Sequence, residues 1–370
     1  VRAIVAGGGT GGHIYPALAI AKGLIRRGAE AVLYAGTREG LEAKLVPAEG
    51  LPFVTVTARK LSRGSLGQLI GASVGLVVGL GQAFRILRAF RPQVVIGTGG
   101  YVCAPMVLAA SLNGIPTMLH EQNAFPGLAN RLLASFASVV CTTFEESAAR
   151  FPPGTRICNT GLPIRPEILG VRREDALSKL GLDPHKKTIL AVGGSLGARR
   201  INEAMIEVLR FCRDNPEVQV IHATGEADYA SFLERLRARG IDPDKNGNIT
   251  IVPFLHAMPE ALAAADLVIG RAGAAFLAEL TARGVAAVLV PYPYAAENHQ
   301  EYNARALLRA GACEVIRDRE LTGSVLVESV RRLLAEDQRR EELARRARAL
   351  GRPEALDRLL DIAWSLGSAQ

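Results

Sequence analysis

The sequence predicts an α/β protein made of two Rossmann-like, doubly wound domains in tandem. Two observations carry this. Short apolar, strand-like runs alternate with helical stretches along most of the chain, and two glycine-rich loops half a chain apart each follow such a run and open a helix. The first loop is Gly7-Gly8-Gly9-Thr10-Gly11-Gly12-His13; the second is Gly193-Gly194-Ser195-Leu196-Gly197-Ala198-Arg199. Glycine lets backbone reach positive φ and come close to a ligand. The helix N-terminus behind such a loop offers unpaired N–H groups and a positive dipole end to an anion. Two such ends facing across a cleft would suit a diphosphate-linked donor and a second anionic substrate.

In the first half, the expected strands are residues 3–6, 31–35, 53–56, 94–97, 117–120 and 139–142. The helix after the first loop has Pro16 near its start, where proline is tolerated. Alternation of this kind implies right-handed crossovers and a parallel sheet. Residues 66–84 carry no charge and approach the length of a membrane span. Gly67, Gly71, Gly75 and Gly79 recur there at every fourth position, a stripe that lets a helix pack closely on a neighbour. A buried or half-buried crossover helix, a helix lying in a membrane interface and a true span all stay open. Arg59, Lys60 and Arg63 before the segment, with Arg85, Arg88 and Arg91 after it, favour contact with anionic lipid. Leu76, Leu80, Phe84, Arg85 and Arg88 are the candidate membrane-facing residues.

A boundary is expected at Gly161-Leu162-Pro163-Ile164-Arg165-Pro166, where two prolines stiffen the chain. Domains 1–162 and 163–352 follow. Strands are then expected at 188–192, 218–223, 249–253, 267–270 and 288–290. Residues 331–352 are charged at helical spacing, as a solvated face would be. Pro353 interrupts them, and 353–367 form an amphipathic helix that must pack somewhere.

The chain's 370 residues suffice for two cores. Hydrophobic residues make up 49% but aromatics only 5%, so the core is mostly Ala, Val, Leu and Ile, as in buried parallel sheets. A net charge of +8 favours anionic partners, yet no Lys/Arg run interleaves with aromatics, which argues against nucleic acid. The five cysteines are scattered without CxxC spacing, so neither a zinc site nor a disulfide framework is indicated, and a reducing cytoplasm fits. The sequence opens directly on a strand-like run, with no signal-peptide pattern.

Gly7-x-Gly9-x-x-Gly12 also matches a dinucleotide fingerprint. A dehydrogenase would place an acid at the end of the second strand, to hold the ribose. Here that strand ends Tyr34-Ala35-Gly36-Thr37, which argues against hydride chemistry. His13, at the helix mouth, is a candidate general base, an orienting donor or a capping side chain; a neutral imidazole there can accept a proton. Arg271-Ala272-Gly273-Ala274-Ala275-Phe276 makes a third glycine turn before a helix. Glu279 follows, either as a carboxylate that accepts from a ribose diol or as an ordinary exposed helix Glu. Residues 291–303, with His299, Gln300 and Asn303, end a strand in a proline turn and present planar groups suited to sugar hydroxyls; a bland loop and helix cap is the alternative. His120-Glu121-Gln122-Asn123 stands at a strand's carboxyl end, where ligands bind in open sheets, or else its members satisfy one another in the core. Asp242-Pro243-Asp244 reads as a surface turn rather than a metal site.

Taken in order, these segments resemble a known family. Gly8-Gly9-Thr10-Gly11-Gly12-His13, Gly99-Gly100-Tyr101-Val102, His120-Glu121-Gln122-Asn123 with Pro126-Gly127, Gly193-Gly194-Ser195, Arg271-Ala272-Gly273-Ala274 with Glu279, and Asn298-His299-Gln300 are similar to motifs of the bacterial peptidoglycan glycosyltransferases of family 28, which convert lipid I to lipid II. The likeness spans almost the whole chain. It implies the glycosyltransferase B fold and transfer of N-acetylglucosamine from its UDP donor to undecaprenyl-diphospho-muramoyl-pentapeptide, with inversion and with no cofactor or obligatory metal. It also implies that Ser195 meets the diphosphate, Leu255 the uracil, Ala274, Ala275 and Phe276 the phosphates, and Glu279 the ribose. Gln300, His299 and Asn303 would hold the sugar, and Arg165 would reach the donor, with Arg271 in the same substrate-binding set. Thr10, Gly11, Gly12, His13 and Asn123 would close over the sugar and the acceptor diphosphate. The last helix would cross back onto the first domain. The likeness further implies a place on the cytoplasmic face of the inner membrane, near an anionic surface and other cell-wall enzymes. Phe276, Leu196 and Leu162 depart from the family's usual Thr, Gln and Asn. The alternatives are a UDP-N-acetylglucosamine 2-epimerase or another UDP-glycosyltransferase on this scaffold, and a non-enzymatic nucleotide-sugar binder.

Overall fold

A computed structural model describes residues 1–59, 66–194 and 196–368, with the backbone alone for 66–72. The chain divides into two compact units, Val1–Pro163 with Pro353–Gln370, and Ile164–Arg352.

The first unit holds seven parallel strands: β1 (Arg2–Ala6), β2 (Ala31–Gly36), β3 (Phe53–Thr55), β4 (Val94–Gly97), β5 (Thr117–Glu121), β6 (Val139–Thr142) and β7 (Ile157–Asn159), in the order β3-β2-β1-β4-β5-β6-β7. The second holds six: β8 (Lys187–Val192), β9 (Val218–Ala223), β10 (Ile249–Val252), β11 (Leu267–Gly270), β12 (Ala286–Leu289) and β13 (Glu314–Val315), in the order β10-β9-β8-β11-β12-β13. Both sheets are wound outward from their first strand. The winding reverses between β1 and β4, and again between β8 and β11, and ligands bind at the carboxyl ends of such strand pairs. The sequence did not point to β7 or β13, which are edge strands of three and two residues. It also placed the strand before Pro291 two residues late. Ala286 and Ala287 are weak strand formers, but pairing with Leu267 and Val268 of buried β11 recruits them.

The first unit's core covers both sheet faces. Ile14, Ile20 and Leu24 of the Gly11–Arg26 helix share one cluster with Leu359, Leu360 and Ala363 of the Ala355–Ser368 helix. Gly23 makes room for this: a Cβ there would lie 2.8 Å from Leu360 Cδ1. Arg27 adds an ion pair to Asp361 at 2.5 Å.

The uncharged segment is a helix, Leu66–Phe90. Ala83 and Leu87 are buried in the other core cluster, with Met106 and Val107 of the Cys103–Leu112 helix. Gly79 permits close approach, since a Cβ there would strike Thr57 O at 2.2 Å. Leu76 and Leu80 are half-buried, with Leu80 packed on the core, so they do not head the exposed stripe that the sequence suggested. Helical geometry instead turns out Val74, Val77, Val78 and Phe84, which are 57%, 69%, 46% and 39% exposed, on the same face as exposed Arg85 and Arg88. By length and composition the window Ser73–Phe90 could cross a membrane, and 22% of it is buried in the protein. Lys60 and Arg63 lie outside the described residues. The five cysteines are free thiols. Asp242 and Asp244 pair with Lys245 and Arg237 in a surface turn.

Candidate active site

In the first unit, the loop after β1 ends at Thr10, the N-cap of the Gly11–Arg26 helix. Its side chain makes no capping bond, and the first turn holds no acid. Thr10 and Gly12 are exposed, and Gly11 and His13 half-buried. The helix mouth is therefore a positive end with no acid of its own first turn to offset it.

His13 is held from behind. Its Nδ1 lies 3.0 Å from Gln122 Oε1 and 3.2 Å from Thr98 O. The other end of the Gln122 amide lies 2.7 Å from Thr98 O and 3.0 Å from His120 O. Carbonyls only accept, so that end is the NH2 and Oε1 faces His13. In the neutral ring the proton is therefore on Nδ1, and Nε2 carries the lone pair. Gly99 and Gly100, at φ +106° and +79°, wall the ring. A Cβ on Gly99 would lie 2.7 Å from His13 Nδ1, and one on Gly100 2.4 Å from Gly8 O, so neither position tolerates a side chain.

His120, Glu121 and Gln122 are all buried. His120 Nε2 donates to Gly161 O at 2.9 Å; burial pulls its pKa down to about 4 and keeps it neutral. Glu121 accepts from the Asn123 and Gly127 N–H groups at 2.9 and 3.1 Å and from Asn130 Nδ2 at 2.8 Å. His120 and Gln122 bond each other and the neighbouring backbone, and Glu121 holds half-buried Asn123.

The sequence found no acid at the end of β2, but the fold puts one there. Glu42, from the following helix, is fully buried. Its Oε1 accepts from Thr37 N–H (3.0 Å) and Oγ1 (2.7 Å), and its Oε2 from Gly9 N–H (3.2 Å). Burial raises its pKa, but the bonds from Thr37 and Gly9 outweigh this and hold the carboxyl below its usual range. Oε2 thus ties down the glycine loop, and Oε1 the turn after β2.

In the second unit, Gly194 and Gly197 of the loop after β8 have φ of +89° and +77°. Gly197 meets Gly225 so closely that a Cβ on it would lie 2.2 Å from Thr224 O. Leu196 is 91% exposed. Ser195 lies outside the described residues. After β11, Gly273 caps the Ala274–Arg283 helix without a side-chain bond, and the first turn again holds no acid. Ala274, Ala275 and Phe276 supply its leading N–H groups. Where a hydroxyl residue would add a donor, the Phe276 ring instead packs over Gly270, 2.9 Å from a Cβ built there.

Glu279 is only 8% exposed, so it is not an ordinary surface Glu. Arg165 grips it with both arms, Nε to Oε1 at 2.6 Å and Nη2 to Oε2 at 2.7 Å. That hydrogen bonding raises the arginine's pKa. Gln300 Oε1 accepts from Ala272 N–H (3.2 Å) and Tyr292 N–H (2.9 Å), which leaves its NH2 as the donor end. His299 Nδ1 lies 2.8 Å from Ala296 O, so it donates there, and in the neutral ring Nε2 carries the lone pair. Just before it, Glu297 and Asn298 adopt φ of +51° and +54°. Two adjacent left-handed non-glycine residues store backbone strain, which collects at functional segments. Leu255 is half-buried between exposed Phe254 and His256, whose rings meet at 4.9 Å.

Two residues predicted to touch substrate are engaged by the scaffold. Arg271 Nη1 donates to Asp318 Oδ1 (2.6 Å) and to Val290 O and Pro291 O (3.1 and 3.2 Å), and its side chain is 11% exposed. Asn303 is fully buried and donates to Ala272 O at 3.1 Å. Both shape the turn between β11 and its helix.

The glycosyltransferase family 28 N-terminal domain model matches residues 3–142, and the family 28 C-terminal domain model residues 188–359. A Moorella thermoacetica protein named UDP-N-acetylglucosamine--N-acetylmuramyl-(pentapeptide) pyrophosphoryl-undecaprenol N-acetylglucosamine transferase is 51% identical over 98% of both chains. The chain belongs to glycosyltransferase family 28. A crystal structure of Acinetobacter baumannii MurG superposes with a TM-score of 0.81 at 32% identity, covering 98% of this chain and 99% of that one. A Neisseria meningitidis UDP-GlcNAc 2-epimerase bound to UDP-GlcNAc has a TM-score of 0.68 at 13% identity over 99% of this chain and 100% of its own, a likeness of fold alone.

For a family 28 chain, the sequence named the residues at the two helix mouths but missed what holds them. Glu42 gave one signal, an acid five residues beyond Thr37. The pairing of Arg165 with Glu279 gave none, because 114 positions separate them.

Proposed function

We infer that this chain is an inverting hexosyltransferase. It moves N-acetylglucosamine from UDP-N-acetylglucosamine to the 4-hydroxyl of the muramoyl sugar of lipid I, and so makes lipid II for peptidoglycan. The observation that carries this is the full-length identity to transferases named for that reaction.

The acceptor oxygen attacks the anomeric carbon and forms the new C–O bond. The bond to the diphosphate oxygen breaks, and UDP departs with its electron pair. His13 Nε2 is positioned as the base that takes the hydroxyl proton, help typically worth ~10²–10⁴-fold in rate. Thr10, Gly11, Gly12 and Asn123 line the acceptor side. On the donor side, the Ala274–Phe276 amides face the charge that develops on the diphosphate. Glu279 accepts from the ribose diol, Leu255 meets the uracil, and Ser195, Arg165, His299 and Gln300 bind diphosphate or sugar. Arg271 and Asn303 shape that site from behind.

The test is UDP release from UDP-N-acetylglucosamine with and without a lipid I analogue. Release that needs the analogue supports transfer. Conversion of the donor alone to its 2-epimer would move the chain to the epimerase reading.

The acceptor is a lipid, and the exposed Val74, Val77, Val78 and Phe84 face with Arg85 and Arg88 is suited to rest on an anionic membrane at its cytoplasmic side. Each basic residue near such a surface contributes ~1 kcal/mol. Reversing Arg85 and Arg88 to Glu should therefore reduce flotation with phosphatidylglycerol vesicles, and unchanged flotation would remove this face from the account.

A further inference from the structure

We propose that Gln122 is a positioning residue whose amide holds His13 in its Nδ1–H tautomer and so keeps Nε2 bare to receive the acceptor's proton. The proposal rests on the reading of His13 as the base, and deepens it.

The argument is a chain of forced proton positions. Gly161 O can only accept, and it lies 2.9 Å from His120 Nε2, so that nitrogen bears the proton. His120 Nδ1 is then a bare acceptor, 3.1 Å from Gln122 Nε2. The same amide nitrogen meets Thr98 O and His120 O at 2.7 and 3.0 Å. Flipping the amide would put Oε1 against two carbonyl oxygens and a ring lone pair, with no hydrogen among them. Oε1 must therefore face His13 Nδ1, at 3.0 Å. Thr98 O also lies 3.2 Å from Nδ1, but it already accepts the shorter bond from Gln122. Moving the His13 proton to Nε2 would leave buried oxygens facing a lone pair. Gln122 is 2% exposed and Thr98 and His120 are fully buried, so the loss would fall on groups shielded from bulk solvent.

A neutral amide in this role differs from the carboxylate of a serine-protease triad. It fixes the tautomer without placing a negative charge behind the ring.

The experiment is imidazole ¹⁵N NMR on histidine-labelled protein, which has six histidines, with His13 assigned from a His13→Gln spectrum. It is read beside kcat, KM and UDP affinity. Wild type should show His13 as Nδ1–H; a neutral ring in the Nε2–H form overturns the proposal without any variant. Gln122→Met, of similar length, should give a mixture of tautomers. It should lower kcat by at least ~10-fold, as removal of an orienting partner does elsewhere, while UDP affinity stays as in wild type. A pure Nδ1–H signal with wild-type kcat in Gln122→Met means that Thr98 alone suffices, and overturns it. Unchanged kcat in His13→Ala is a separate result: it removes the base reading on which the proposal stands.

Discussion

The two units wind their sheets in the same order, and each follows its first strand with a glycine loop and a helix, yet the two loops are built differently. In the first unit the loop stands on a buried polar network. Glu42, Thr98, His120, Glu121, Gln122 and Asn130 are all at most 2% exposed, and their bonds converge on Gly9, Asn123 and His13. In the second unit the loop after β8 carries exposed Leu196, and the charged pair sits beside the neighbouring turn, where Arg165 meets Glu279 with half its side chain in solvent. Under the proposed function, the difference follows from the task. A ring that moves a proton needs its tautomer fixed, which takes buried partners whose own protons are fixed. A diphosphate needs only backbone N–H groups and a few charges, which a helix mouth supplies.

The sharpest way to break that contrast is at His13. His13→Ala should lower kcat by ~10²–10⁴ while UDP affinity holds. Equal losses in kcat and UDP affinity would mean that the first unit binds donor rather than transferring a proton.

Acid should then separate the two units. His120 in the first and His222 in the second are fully buried, and burial pulls both from 6.5 to about 4. The unfolded chain binds these protons first, so the stability each protects is complete above pH 6.5 and is lost as pH falls toward 4. By pH 4 the loss approaches ~3 kcal/mol per histidine. The two are not equivalent. His120 has partners on both nitrogens, whereas His222 Nδ1 meets Ala191 O at 3.3 Å and its buried Nε2 has no partner. His222→Leu should flatten the fall in urea midpoint between pH 6.5 and 4, followed by circular dichroism. Trp364, the chain's one tryptophan, lies in the first unit and should report that unit's own acid transition unchanged. An identical slope in the variant would mean that His222 is hydrated in solution.

Most of the fold was legible because its signals are local. Apolar runs such as Leu267–Gly270, glycine turns and the prolines at 163 and 166 each announce themselves within a few residues. What failed depended on distant partners. Ala286 joins a strand only because β11 lies beside it. Leu80 turns inward because Gly79 lets its helix close on Thr57 and Pro105. At the site, the residue types were readable but their occupations were not. Nothing near Arg271 announces that Asp318 will claim it, and nothing near His120 announces Gly161. The masking of function by scaffold is greatest in the first unit, where three of the four residues in the 120–123 motif are buried supports.

The smallest of the expected effects tests the other half of the comparison, at Glu279. If the second unit only binds, removing this carboxylate should cost affinity and little else. Glu279→Ala should weaken UDP by ~1.5–3 kcal/mol, the range for a hydrogen bond to a charged group, as read by calorimetry. Its effect on stability should be under ~1 kcal/mol, because Arg165 is half in solvent and an exposed partner screens the pair. Glu279→Gln keeps one acceptor and should fall between the two. In the first unit, Thr10→Ala should leave UDP affinity untouched, since Thr10 makes no capping bond and stands at the helix mouth that the proposed function gives to the acceptor. The opposite pattern, with UDP indifferent to Glu279 and sensitive to Thr10, would exchange the roles of the two glycine loops while leaving the family and the fold as they are.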